Sequence, residues 1–398
     1  MGSVTMNDDK PALGRLFLLS LFMSNVVSGV PIIISGLLLI DIGVSFGYPV
    51  GVTGQIATAY SAITIVFALA VGVLSTRYQP KTLLTAGILL NTISALGSYY
   101  ATSFPMLILA YSLTGISSAI VFPMTATIIG DAFISERRSS ALGWATAGNA
   151  FSVLFGAPTV SYIASQYGWR SAFLFFMLPI SIVGLALVYF GLPKTRARSD
   201  SSPRSASEGY RSILSNRSAI ACLVGAMFVS VNLSNVLTYA VSSFRERFLV
   251  SAGVASLVFS GMAVTAFSGN VIGGNIINRL GRKRVIAPAS FLAGMLTIAT
   301  FNVGVFWLSA AASIVLFLFV SSAFLAGNSL TLEQETEFRG TLMSVNSAAR
   351  GVGSTLGTMV GGLVLLRYGY SALGYTAGIF GILAVLIYHL FTEEPHGS

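Results

Sequence analysis

Twelve runs of this chain are each about as long and as apolar as a bilayer core demands, and only one of them holds a charged residue. They lie near residues 16–40, 54–74, 82–100, 105–130, 139–164 and 172–192, and then 219–242, 252–277, 285–301, 305–330, 341–366 and 371–391. A helix needs about 20 apolar residues to cross the hydrocarbon. Lipid offers no hydrogen bonds to the backbone, so runs of this length must satisfy their own N–H and C=O groups as helices. The expected fold is an all-α membrane protein of twelve transmembrane helices.

Composition agrees: 9% of residues are charged and the mean hydropathy is +0.82, whereas soluble domains carry about 25% charged residues. The net charge of +9 does not point to nucleic acid, because the basic residues form short blocks between apolar runs and no continuous stripe. Cys222 is the single cysteine, which excludes an internal disulfide framework or a zinc cluster. The first apolar run is longer than a leader's apolar core, so no cleavable leader is expected. The sequence shows no Walker loop, nucleophile elbow or metal-ligand spacing, so neither an enzyme nor a bound cofactor is expected.

Seventeen of the 22 Lys and Arg residues fall before span one, in alternate loops, or in the segment between spans six and seven. That bias sets both termini on the cytoplasmic side of an inner (plasma) membrane. The segment 193–216 is basic, rich in serine and poor in large apolar residues, as a flexible linker is.

The two sides of that linker repeat each other. Glu136-Arg137-Arg138 before span five matches Glu337-Phe338-Arg339 before span eleven at an offset of 201 residues. Gly156 and Gly357 keep the offset, as do Tyr167-Gly168 and Tyr368-Gly369. Parallel repeats of this kind place a binding site near the midplane, where the halves meet.

The loop Gly274-Asn275-Ile276-Ile277-Asn278-Arg279-Leu280-Gly281-Arg282-Lys283 resembles the signature G-x-x-x-D-R-x-G-R-K/R of the major facilitator superfamily, with Asn278 at the acidic position. The first half keeps only Gly72, Arg77 and Lys81 of that loop. Gly156-Ala157-Pro158 followed by Tyr167-Gly168-Trp169-Arg170 is similar to the drug and sugar efflux branch. The resemblance implies the major facilitator fold: pseudo-symmetric six-helix bundles at 1–192 and 217–398, spans 1, 4, 7 and 10 lining a cavity, and spans 3, 6, 9 and 12 facing lipid. It also implies acids that pair with basic loop residues as a cytoplasmic gate, for which Asp131, Glu333, Arg279 and Arg282 are the candidates.

Arg350, in span eleven, is the one charge within the twelve runs. A cation at that depth costs on the order of 2.5–3.5 kcal/mol on insertion scales, so it reads as functional: an anchor for an anionic or polar substrate group. The competing reading is an arginine satisfied by helix carbonyls and amides. Its counterpart at the repeat offset is Asn149, expected across the cavity. Asn232, Asn235 and Tyr239 share one face of span seven, and Asn25 on span one and Tyr111 on span four complete the candidate substrate contacts. Such stripes either line a cavity or bond neighbouring helices. No run holds an Asp or Glu, so the proton-coupling candidate is Asp41, just beyond span one.

These features point to a monomeric secondary transporter working by alternating access on a small organic molecule, anionic where Arg350 binds it, with proton-coupled efflux of drug-like compounds or sugars as the leading use. An anion-selective uniporter or exchanger organised on Arg350 is the alternative. A receptor or channel that does not transport is the alternative of another class.

Overall fold

The computed structural model describes residues 16–133, 135–193, 210–334 and 339–393. Every regular element among them is helical. The first six membrane helices are α1 (Phe17–Leu37), α2 (Gln55–Arg77), α3 (Pro80–Tyr99), α4 (Phe104–Ala132), α5 (Ser135–Tyr167) and α6 (Trp169–Gly191). The second six are α7 (Arg217–Phe248), α8 (Ala252–Leu280), α9 (Arg282–Asn302), α10 (Phe306–Glu333) and the run Arg339–Phe391. That run is broken at Gly369 (φ 78°, ψ −175°) into α11 before it and α12 after it. Most of the linker 193–216 and the pair Glu337-Phe338 lie outside the described residues, as do the side chains of Arg137, Arg138, Asn278 and Arg339.

Local chemistry sets several boundaries. Ser103, Asn216 and Ser251 each accept a bond from the backbone N–H three residues on, capping α4, α7 and α8. Pro179 has no N–H to donate, and α6 loosens into a π-helical turn over Phe173–Met177 just before it. The duplicated Tyr-Gly pair has a structural meaning. Gly168 (φ 84°, ψ 159°) and Gly369 (φ 78°, ψ −175°) turn the chain at equivalent places in a backbone region that is essentially closed to residues with a Cβ. Two details differ from the sequence expectation. The link after α1 is itself helical, over Leu39–Phe46 and Val50–Thr53, and α7 continues past its apolar run to Phe248, lifting Arg245 and Arg247 onto its last turns.

The halves pack unequally along the membrane normal. On the terminal face, which carries both ends of the described chain, the buried apolar residues form separate clusters. One, with Phe17, Leu21, Leu84 and Ile128, belongs to the first bundle, and another, with Cys222, Ile286, Leu330 and Tyr388, to the second. Toward the opposite face a single cluster joins Ile33, Ile34 and Leu37 of α1 to Val236, Tyr239 and Phe244 of α7. There α2 and α11 are clasped by Thr58–Thr358 (2.9 Å) and Ser61–Ser354 (3.0 Å) hydroxyl bonds. Just before α2, in the Val50–Thr53 turn, a Cβ added to Gly51 would lie 2.5 Å from the Gly362 carbonyl of α11, so this close approach favours glycine. The bundles therefore meet at the opposite face and part toward the terminal one.

Candidate functional site

The space between the parted bundles is a cavity of about 680 Å³. Its wall comes chiefly from α5 (Thr146, Asn149, Val153), α8 (Met262, Phe267, Asn270) and α10 (Phe317, Phe324, Asn328), with Ile32, Phe122 and Leu237 contributed by α1, α4 and α7. The resemblance gave the leading part to spans 1, 4, 7 and 10. Here α5 and α8 take it, because α1 and α7 are packed together in the fused core. Three amides and one threonine punctuate a surface that is otherwise aromatic and aliphatic. Such a wall suits a ligand with apolar faces and a few hydrogen-bonding groups.

Of the residues singled out from sequence, Asn149 lines this cavity. Arg350 stands one side chain behind the wall. Its Nη2 donates to Asn328 Oδ1 at 3.1 Å, and its Cζ lies 3.7 Å from the centroid of the Phe324 ring. Asn328 Oδ1 also accepts from Asn346 Nδ2 at 2.9 Å. The Nε and Nη1 donors of Arg350 are buried and have no acceptor among the described residues. The guanidinium is thus stacked and singly bonded, with most of its donors unused.

The other expected substrate contacts hold helices together. Asn25 Nδ2 donates to Leu21 O (2.9 Å) and to Thr125 Oγ1 on α4 (3.3 Å). Asn232 Nδ2 joins α7 to Thr297 Oγ1 of α9 (2.9 Å) and to Ala377 O of α12 (3.0 Å). The Tyr111 hydroxyl donates to the Pro31 carbonyl, and that of Tyr239 to Thr358 O at 2.9 Å. Asn235 faces a separate crevice of about 140 Å³ between α7, α11 and α12. Of the two readings of a polar stripe, helix bonding describes Asn25, Asn232, Tyr111 and Tyr239 in this arrangement.

Charged groups cluster at the two ends. Asp41 meets Arg245 across the bundles at the opposite face, through bonds of 2.6 and 3.0 Å, and Arg245 Nη1 also reaches Leu37 O at 3.4 Å. At the terminal face Glu333 pairs with Arg282 within the second bundle, and Asp131 and Arg279 are exposed. Phe324, Asn328, Asn346 and Asn270 were not picked out from the sequence. A signal existed: Phe324–Asn328 and Asn346–Arg350 are both i, i+4 pairs, which places each pair on one helical face.

A family model described as the Major Facilitator Superfamily matches residues 16–245 and, a second time, 223–398. Two curated relatives carry the name "Probable sugar efflux transporter". The protein from Mannheimia succiniciproducens is 23% identical over 377 residues, covering 92% of this chain and 90% of the relative. The one from Pasteurella multocida is 23% identical over 381 residues, covering 94% and 90%. Among solved structures, a D-xylose-proton symporter superposes with a TM-score of 0.82 at 15% identity, covering 96% of this chain and 99% of that one. An inward-facing, occupied bacterial homolog of the human lysosomal transporter Spinster gives 0.77 at 14% identity, covering 96% and 97%.

Proposed function

Because the chain belongs to the Major Facilitator Superfamily, we propose that it exports a small organic solute by alternating access around the cavity between α5, α8 and α10. The observation that carries this reading is the asymmetry of the core. It is fused at the face closed by Asp41–Arg245 and split where the cavity lies. With the basic loops placed in the cytoplasm, this arrangement opens inward and is ready to receive a solute from that side.

Aromatic faces and amides together can hold sugars as well as amphipathic drug-like molecules, and the names of the curated relatives support the sugar class. In the cycle, solute binding draws the parted halves together, and the opposite face must open. That step breaks Asp41–Arg245 and leaves Asp41 facing water, which makes it the carboxylate through which protons can be coupled. On the terminal face Glu333, Arg282, Arg279 and Asp131 stand where the closing halves meet.

One observation favours a second reading, an anion-selective uniporter or exchanger. The cavity wall carries no carboxylate among the described residues, while Arg350 lies directly behind it. Purified protein in liposomes separates the two. Export of a radiolabelled sugar should accelerate when the receiving compartment is made acidic. A rate indifferent to the pH gradient removes proton coupling, and an absence of flux for neutral and anionic solutes alike removes transport.

A further inference from the structure

The geometry points to Arg350 as the anchor for a carboxylate on the transported molecule, reached from the cavity past the ring of Phe324. This deepens the transporter reading and rests on it: it names a substrate class of apolar or sugar-like bodies bearing an acidic group.

A buried guanidinium is ordinarily surrounded by acceptors, because each unbonded donor loses its hydration without replacement. Arg350 has one acceptor, Asn328 Oδ1, already shared with Asn346. The Nε and Nη1 donors, and the nearby Asn346 Oδ1, are buried without partners among the described residues. No carboxylate of the described chain forms an ion pair with it, and Glu333, the nearest acid along α10, is engaged by Arg282. What the guanidinium does have is the face of Phe324 at 3.7 Å, and a cation resting on an aromatic face is held without being neutralised.

Phe324 and Asn328 both line the cavity, and Phe324 is 36% exposed. The ring therefore separates the charge from the solute space and has room on its other side. A ligand carboxylate that displaces the ring gains charge-assisted hydrogen bonds from the unused donors. A neutral isostere gains much less. The rest of the wall, aromatic with Asn149 and Asn270, holds the body of the molecule.

Matched probes test this: 3-phenylpropanoate against 3-phenylpropanamide, and glucuronate against glucose, titrated into the full-length protein in detergent. The acid of at least one pair should bind about tenfold or more tightly than its neutral partner. Arg350→Gln should abolish that preference by weakening the acid far more than its neutral partner, and Phe324→Ala should shift the acid-to-neutral ratio, since it alters access to the charge. Equal affinities within both pairs, no binding of either acid, or a preference that survives Arg350→Gln would overturn the assignment. Where Arg350→Gln does not fold, Phe324→Ala decides, and an unchanged ratio overturns it. None of these results touches alternating access, which is read from inter-bundle distances without a ligand.

Discussion

Asp41 and Arg245 belong to different bundles and are joined by two hydrogen bonds, of 2.6 and 3.0 Å, at the face where the halves meet. The pair is only partly shielded, with side-chain exposures of 34% and 17%. An ion pair so placed biases a conformation without locking it, because water and salt compete for both charges.

Asp41→Asn should therefore shift the protein toward opening at this face by about 1 kcal/mol, roughly a fivefold change in population. Spin labels on the ends of α1 and α7 would read it as a larger share of long distances. The double exchange Asp41→Arg with Arg245→Asp should recover most of the original distribution. High salt should mimic the single variant. Distances unchanged in Asp41→Asn would show that the hydroxyl clasp and apolar contacts alone hold this face.

Arg350→Met should stabilise the folded protein while abolishing recognition of acidic solutes. The substitution replaces a cation that has unused donors with an apolar chain of similar length, a change worth about 1–3 kcal/mol. The apparent melting temperature in detergent should rise by roughly 2–4 °C. A fall of that size would instead mark Arg350 as a structural member that ties α11 to α10.

Gly168→Ala and Gly369→Ala should destabilise alike, by about 1–3 kcal/mol each, because both turns use a backbone region that Cβ closes. Gly130→Ala is the matched control: it lies in α4, and an added Cβ would meet nothing within 4 Å. Fluorescence-detected size exclusion after heating would rank the three. A tolerant Gly369 with a sensitive Gly168 would mean that the repeats have lost equivalence at this turn.

The twelve helices were legible because apolar length is a local property: each run announces itself without reference to its neighbours. The repeat was legible for the same reason, and Gly168 and Gly369 show why its Tyr-Gly pair persists at a fixed offset. Rotation of each helix about its axis was less so. Asn25, Asn232, Asn270 and Asn328 look alike in sequence, as amides in apolar runs. Which of them meets the cavity depends on which helices pack beside it. Asn232 points toward Thr297 and Ala377, while Asn328 reaches the wall because α10 borders the gap. The guanidinium of Arg350 could be recognised as anomalous from its surroundings. That a phenylalanine 26 residues earlier in the chain would cover it could not.

The fused apolar cluster linking α1 to α7 has a thermodynamic consequence for turnover. Each passage to the form open at that face must wet hydrocarbon that is now dry, and wetting apolar surface raises the heat capacity. Where that wetting precedes closure of the terminal face, the heat capacity rises on the way to the barrier, and the transport rate is expected to follow a bowed rather than straight Arrhenius plot.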